Sequence, residues 1–293
     1  LTLLFLSFIT LIKFSVHIEP WRIMISNSED DRKFLNEYKP GPEDQKLRIL
    51  LYGPTGAGKS SFINSVQTVL RGRPYSQALV DHTEGDSFTK EYITHHIEKD
   101  DDSFYPFILN DMMGLSKLKG VLVEDVELAL KGHVKEGYKF NPETPLTEDN
   151  QFYIARPTPN DKVQILVCVI PADKISIMDS EVLEKIKNIR LKASALHIPQ
   201  VTILTKIDDL PLEMHAKINV YAIKGVKEKM KAAQANMGFP LNCMFPVKNY
   251  HEEINMNREV DALILSAMRH IIQYGDDFIK FSQNRSEPKI DSL

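Results

Sequence analysis

Short apolar runs alternate with stretches of helical periodicity from Lys46 to near the end of the chain. The apolar runs are rich in residues that favour strands. They predict strands near 47–52, 87–97, 104–110, 162–170, 200–205 and 241–247. Apolar positions three and four residues apart predict helices near 59–70, 121–132, 179–196, 213–237 and 257–281. This alternation favours an α/β fold with a central, mostly parallel sheet flanked by helices.

The residues before this pattern are expected to form a separate segment, 1–45, with a linker and a short helix capped near Ser28. Its apolar start, Leu1–Ile12, is shorter than the roughly 20 residues that cross a bilayer, so we expect no transmembrane span. It also lacks the basic start and the cleavage site of a signal peptide. We interpret residues 1–19 as the cut end of a longer protein, or as a strand from a preceding domain.

The main domain is predicted to span 46–281 and to contain an insertion loop around 132–161, which is rich in Pro, Asn, Thr and Glu. Loops of this length are uncommon unless they are functional or disordered. Residues 282–293 are expected to form a flexible tail.

The composition is that of an ordinary folded domain. Of 293 residues, 43% are hydrophobic and 26% are charged, and the formal net charge is −4. Without a clustered basic face, this balance argues against a nucleic-acid-binding protein. Cys168 and Cys243 each lie alone in an apolar run, which predicts buried thiols in a reducing, cytoplasmic location rather than a zinc site or a redox pair.

The strongest chemical signal directly follows the first predicted strand. Residues 53–60 read GPTGAGKS and match the pattern G-x-x-x-x-G-K-[ST] of loops that bind di- and triphosphates. Backbone N–H groups would face the phosphates, Lys59 would add a positive charge, and the Ser60 hydroxyl would bind Mg²⁺. The predicted phosphate-binding residues are Gly53, Thr55, Gly56, Ala57, Gly58, Lys59, Ser60 and Ser61, with Gly114 from a second motif.

This second motif, DMMG at 111–114, ends the strand predicted at 104–110. Asp111 would hold the Mg²⁺ shell together with Ser60, and the Gly114 N–H would reach a γ-phosphate. The polar segment 71–86 is typical of a switch loop that orders around the metal. Thr89 is the predicted third contributor to the Mg²⁺ site. Thr83 competes with it, and a threonine that merely faces solvent is the remaining alternative.

A third motif, TKID at 205–208, follows the fifth predicted strand. A carboxylate such as that of Asp208 accepts two hydrogen bonds from guanine, whereas adenine offers no such pair of donors. The loop at 246–249 is where a further contact with the purine is expected. The predicted guanine-binding residues are Thr205, Lys206, Asp208 and Lys248. An ATP-dependent enzyme or kinase is less favoured, because Asp208 would then lack a purpose.

Five segments together resemble the interferon-induced protein 44 family, including its 44-like members. The segments are Leu47–Ser65, Gly120–Asn141, Lys162–Lys174, Gln200–Asp208 and Phe245–Glu252. Within them and beside them, the motif residues are GPTGAGKSSFINSV at 53–66, DMMGL at 111–115, LKGHV at 130–134, TKID at 205–208 and NY at 249–250. The resemblance implies a Ras-like P-loop GTPase domain with GTP or GDP and Mg²⁺ as ligands. It also implies an interferon-driven antiviral or innate immune role in the cytoplasm.

Catalytic residues are not evident from the sequence. Ras-like proteins commonly place a water-orienting Gln directly after the glycine of the second motif, but here Leu115 takes that place. Thr55 stands where Ras-like proteins have glycine, and its side chain would crowd an incoming arginine finger. Two hypotheses therefore stand: a slow GTPase, activated by formation of a homodimer or larger assembly, or a GTP-regulated scaffold without turnover.

Overall fold

Six strands form one sheet in the computed structural model, which describes residues 20–23, 27–41, 44–76, 90–100, 103–210 and 220–286. The strands are β1 (Leu47–Tyr52), β2 (Ile93–Asp100), β3 (Ser103–Asp111), β4 (Ile165–Pro171), β5 (Gln200–Thr205) and β6 (Met244–Pro246). Their order across the sheet is β2-β3-β1-β4-β5-β6. Only the edge pair β2 and β3 is antiparallel among these neighbours.

Within the described ranges, six α-helices cover both faces of the sheet. They are α1 (Ser28–Glu37), α2 (Lys59–Arg71), α3 (Val123–Lys131), α4 (Ser180–Ala195), α5 (Lys224–Met237) and α6 (Arg258–Ser286). Side chains alternate between the faces of a strand, and β1 shows the result. Its residues Leu47, Ile49 and Leu51 pack with α1, α2 and α6, while Leu50 and Tyr52 pack with α3, α4 and α5.

The connections confirm the fold that the sequence predicts. Strand β1 lies at the centre of the sheet, with β3 on one side and β4 on the other, so the chain reverses its direction of winding there. Ligands of open α/β sheets bind at such switch points, at the carboxyl ends of the strands. The loop 53–58 that joins β1 to α2 occupies this place. The architecture is that of a P-loop NTPase, with the Ras-like arrangement of one antiparallel edge strand.

The predicted strands at 47–52 and 200–205 are confirmed to the residue. The strand predicted at 241–247 is wrong in its first part, because a 3-10 helix occupies Leu241–Cys243 and leaves β6 only three residues. Proline at 240, directly before the 3-10 helix, lacks the N–H that a ladder requires. Consequently Cys243 is only partly buried, whereas Cys168 is buried in β4 as predicted.

Other boundaries also differ from the predictions. Strand β2 begins at Ile93 rather than 87, although 87–89 lie outside the described residues. Helix α5 begins at Lys224, after a 3-10 turn, and 213–219 lie outside the described residues. Helix α6 runs to Ser286, past its predicted end at 281. The predicted start of the tail at 282 is therefore too early, and residues 287–293 lie outside the described part.

The amino-terminal helix is confirmed, with Asn27 rather than Ser28 as its capping residue. The predictions for residues 1–19 lie outside the described residues. Across the described ranges, no helix combines the length and the apolar character that crossing a bilayer requires.

The insertion at 132–161 has no helix or strand of its own, as predicted, but it packs on the domain. Four of its apolar side chains are buried: Val134, Tyr138, Phe140 and Leu146. Its backbone pairs with the segment that leads into β2, where the Tyr92 N–H donates to Tyr138 O at 2.8 Å. The insertion thus packs against α3 and forms part of the domain.

Asp125 of α3 holds this insertion in place, and its titration makes the stability of the fold depend on pH. Its Oδ1 accepts the Leu146 N–H at 2.7 Å, while Oδ2 is buried without a hydrogen-bond partner among the described residues. Burial raises the pKa of Asp125 to about 6, and the hydrogen bond from Leu146 opposes this only in part. The folded state therefore holds a proton that the unfolded chain releases near pH 4.

We predict that the free energy of unfolding falls as pH rises from about 4 to about 7, by up to about 3 kcal/mol from this group. The variant Asp125→Asn keeps the acceptor for Leu146 and removes the titration. Urea unfolding of both proteins across this range tests the prediction. A constant difference in stability between them would contradict it.

Candidate nucleotide-binding site

The phosphate loop begins directly where β1 ends, and it passes into α2 through Gly58. This residue is the N-cap of α2 and has a left-handed φ of 87°. Only glycine adopts that conformation without strain, and glycine has no side chain with which to cap the helix. The positive end of the α2 dipole is thus directed at the loop. This geometry suits an anion such as a phosphate group.

Lys59, in the first turn of α2, is 7% exposed. Burial lowers its pKa, while the nearby Asp111 carboxylate and the Cys168 thiol act in the opposite direction. None of the ion pairs among the described residues involves Lys59. A buried ammonium group is costly without a partner, and the phosphates of a nucleotide would supply one.

Ser60 and Asp111 meet beneath the loop. Strands β1 and β3 are parallel neighbours, so their carboxyl ends bring the two residues together. The Ser60 hydroxyl donates to Asp111 Oδ2 at 2.6 Å, and Asp111 is 1% exposed. These two oxygen ligands fit Mg²⁺, which usually takes one or two protein ligands and completes its shell with phosphate and water.

The described residues contain no group of three or more His, Cys, Asp or Glu side chains that could hold a metal ion. Ser60 and Asp111 are the oxygen ligands that the fold brings together here. Thr89 and Thr83, the predicted third contributors, lie outside the described residues.

The second motif lies directly against the phosphate loop. The Thr55 N–H donates to Leu115 O at 3.0 Å, and the Leu115 N–H donates to Gly53 O at 2.8 Å. A Cβ on Gly114 would lie 2.7 Å from the Thr55 Cα, so this close approach requires glycine at 114. The Leu115 side chain is 1% exposed and belongs to the core. The sequence indicates that an apolar residue replaces the Gln, but its burial is visible only in the fold.

The third motif is tied to the same loop through a threonine. Thr205 ends β5, and its hydroxyl donates to Ala57 O at 2.6 Å. Lys206 follows with a left-handed φ of 55°, which is uncommon for a residue other than glycine. Such backbone strain is frequent at functional sites. Asp208 then lies in a 3-10 turn, and its carboxylate is partly exposed.

Asn249, Tyr250 and Ser65 link the loop after β6 to the phosphate loop and to α2. Asn249 Nδ2 donates to Gly58 O at 3.2 Å, and its Oδ1 accepts the Ser65 hydroxyl at 3.4 Å. The Tyr250 N–H donates to the same hydroxyl at 2.9 Å. Adjacent Lys248 lies with its Nζ 3.8 Å from Asp208 Oδ2. The sequence expects the loop at 246–249 near the purine, and the Asn-Tyr pair at 249–250 belongs to the family resemblance, but neither signal indicates these hydrogen bonds.

Comparison with curated proteins shows relatives that match 84% of the chain. Interferon-induced protein 44 of Homo sapiens is 36% identical over 250 residues, and that of Mus musculus is 36% identical over 252 residues. Interferon-induced protein 44-like of Homo sapiens is 30% identical over 252 residues. Over this span the chain is a homologue of interferon-induced protein 44 and interferon-induced protein 44-like. It covers 56%, 59% and 55% of these relatives, a little more than half of their length.

No protein-family model matches the chain. Among solved structures, Toc33 from Arabidopsis thaliana, in a dimerization-deficient mutant form, is 12% identical with a TM-score of 0.49. That match covers 87% of this chain and 93% of the other. Toc33 in complex with GDP and Mg²⁺ is 12% identical with a TM-score of 0.47, covering 87% of this chain and 92% of the other.

The carboxyl ends of four strands thus bring the residues of the candidate site together. Strand β1 leads into the phosphate loop, β3 places Asp111, β5 places Asp208 and β6 leads to Lys248. Hydrogen bonds from Thr205 and Asn249 fix the last two strand ends to the phosphate loop. The phosphate loop and Lys59 offer N–H groups and a positive charge, which suit phosphate groups. Asp208 offers a carboxylate, which suits the hydrogen-bond donors of a base.

Proposed function

We propose that this chain binds GTP and GDP together with Mg²⁺, and that it hydrolyses GTP slowly. The observation that carries the proposal is the hydrogen bond from the Thr205 hydroxyl to Ala57 O at 2.6 Å. It joins the phosphate loop to the segment that bears Asp208. The carboxylate is therefore held at a fixed place relative to the phosphates, which is what selection of a base requires.

At the phosphate end, the Lys59 ammonium and those loop N–H groups that are not bonded within the protein bind the di- or triphosphate. The Thr55 and Ala57 N–H groups are not among them, because they donate to Leu115 O and Pro54 O. Bound Mg²⁺ would be held by Ser60 and Asp111 and would neutralise charge on the phosphate oxygens. Gly114, packed on Thr55, supplies backbone polar groups next to the position of a γ-phosphate.

At the base end, the Asp208 carboxylate accepts hydrogen bonds from the guanine N1–H and the exocyclic amine. The Lys206 and Lys248 side chains lie beside it and contact the ring. Thr205 contributes by positioning, because its hydroxyl is already bonded to Ala57 O.

Hydrolysis would be slow because nothing in the second motif can orient water. The Leu115 side chain is apolar and buried, and its backbone is bonded to the phosphate loop. Thr55 also occupies the place where an arginine finger would pass. Turnover would then rely on another residue, on a main-chain group, or on a group from another copy of the chain in a homodimer formed across the nucleotide face. The same burial of Leu115 favours the second candidate, a GTP-regulated scaffold without turnover.

The names of the relatives also suggest a biological setting for the chain. Because the relatives are named as interferon-induced, we propose that this chain is induced by interferon and acts in antiviral innate immunity, in the cytoplasm. The chain covers little more than half of those relatives, so its partners in that setting belong to the proposal as well.

Asp208→Asn tests the choice of base. We expect this variant to lose about 10- to 100-fold in GTP affinity, because the amide cannot accept both hydrogen bonds from guanine. Xanthosine triphosphate, which has an oxygen in place of the exocyclic amine, should bind the variant better than the unmodified chain. Calorimetric titration with GTP, ATP and xanthosine triphosphate measures both effects. Equal affinity of the unmodified chain for GTP and ATP would refute the base assignment.

A further inference from the structure

Lys248 lies between two carboxylates at the base end of the site. Its Nζ is 2.7 Å from Glu253 Oε1 and 3.8 Å from Asp208 Oδ2. The ammonium group is therefore fully paired with Glu253 and only loosely paired with Asp208. The sequence assigns Glu253 no role, and it lies outside the three nucleotide motifs.

Glu253 is itself held in place by the loop that carries Lys248. Its Oε2 accepts the His251 N–H at 3.0 Å and the Glu252 N–H at 3.2 Å. Partial burial acts to raise its pKa, but these hydrogen bonds and the one from Lys248 outweigh burial and hold the pKa at about 2. Hydrogen bonding to Glu253 in turn raises the pKa of Lys248. Both groups are thus charged at neutral pH.

The loop is also anchored on its other side, so Glu253 does not shift freely. The Tyr250 hydroxyl donates to Asp261 Oδ1 at 2.6 Å and accepts the Asn257 N–H at 2.7 Å. Asp261 lies in the first turn of α6, which packs on the core. The position of Glu253 relative to Asp208 is therefore set by the fold.

We propose that Glu253 determines guanine affinity by holding Lys248 away from Asp208. A carboxylate in direct contact with an ammonium group has to give up part of that contact before it accepts hydrogen bonds from a base. With Lys248 drawn to Glu253, Asp208 keeps its acceptor positions for the purine. Glu253 is a positioning residue that acts through Lys248, and its role rests on the proposed function of the site.

The variant Glu253→Gln releases Lys248 with little change in shape. A glutamine that keeps its oxygen on the two backbone N–H groups turns its NH₂ group towards the Lys248 ammonium and repels it. Lys248 then moves to Asp208. We expect GTP affinity to fall about tenfold while ATP affinity changes by less than about twofold, since ATP makes no use of Asp208.

The matched control is Glu252→Gln, which removes the same charge from the neighbouring residue. Glu252 has an 88% exposed side chain and is 3.7 Å from His251 Nδ1, and it makes no ion pair with Lys248. We expect its GTP affinity to match that of the unmodified chain within about twofold. The double variant Glu253→Gln/Lys248→Met should bind GTP as well as Lys248→Met alone, because no ammonium remains to compete for Asp208.

Calorimetric titration of the full chain with GTP and with ATP, in the presence of Mg²⁺, measures all of these affinities. An unchanged GTP-to-ATP ratio in Glu253→Gln overturns the proposal. So does a tenfold loss that persists in the Lys248→Met background, because that loss would come from the loop itself. The proposed function fails separately, through equal GTP and ATP affinities in the unmodified chain.

Discussion

Lys59→Ala is expected to lower the affinity for GTP and for GDP by about 100-fold or more, which corresponds to about 2.7 kcal/mol. Lys59 is 7% exposed and lies near Asp111, and burial lowers the pKa of its ammonium group. In the free protein this charge is therefore poorly compensated, and a polyphosphate would compensate it. Truncation removes both that attraction and the cost of burying the charge.

The melting temperature distinguishes a role of Lys59 in nucleotide binding from a role in stabilising the fold. Because the free protein loses a poorly compensated charge, we expect the melting temperature of Lys59→Ala without nucleotide to be equal to or above that of the unmodified chain. Lys162→Ala serves as the control, because Lys162 is exposed and precedes the amino end of β4, whereas the candidate site lies at the carboxyl ends of the strands. This variant should alter neither the nucleotide affinity nor the melting temperature. Thermal unfolding with and without GTP measures both. A variant that still gains stability from GTP would contradict the assignment of Lys59.

The fold was predictable because its signals are local. The β1 sequence alternates between the two faces of the sheet, and a glycine-rich turn leads from it directly into α2. Strand, loop and helix are contiguous in the chain, so a pattern of about 20 residues is sufficient to indicate them. Asp111 was predictable for the same reason, since it ends an apolar strand. Its approach to Ser60 then follows from the parallel pairing of β1 and β3.

The interactions between the motifs were not predictable from such patterns. Thr205 contacts Ala57 across 148 positions of the chain, and Asn249 contacts Gly58 across 191. Both pairs depend on which strands become neighbours, and on side-chain directions that a spacing does not specify. For that reason Thr205 was predicted to contact guanine, whereas its hydroxyl is bonded to the phosphate loop. Glu253 remained without a role because its partner, Lys248, had none beyond a general place near the purine.

Leu115 shows how the two kinds of information combine. The sequence identifies it as the residue in the place of a water-orienting Gln. The structure adds that its side chain is in the core and that its N–H and C=O are bonded to Gly53 and Thr55. These two hydrogen bonds fix the backbone at 115, and the side chain that leaves it enters the core. Restoring the Gln is therefore not expected to restore catalysis.

Leu115→Gln should instead destabilise the fold by about 2–4 kcal/mol, because it buries an amide where a leucine packs. We expect its single-turnover release of phosphate from GTP to stay at the level of the unmodified chain. Leu118→Gln is the matched control: the same substitution in the same loop, at a side chain that is 80% exposed, should leave stability within about 0.5 kcal/mol. Urea unfolding provides the stability of all three proteins.

Phosphate release measured at low and at high protein concentration decides between the two hypotheses for turnover. Acceleration with concentration in the unmodified chain supports a GTPase that another copy completes, and a flat background supports a scaffold that binds GTP without hydrolysing it. Faster release by Leu115→Gln at low concentration would contradict the burial argument, because the glutamine would then have to reach the γ-phosphate from within its own chain. The backbone pairing of Leu115 with the phosphate loop predicts that this does not occur.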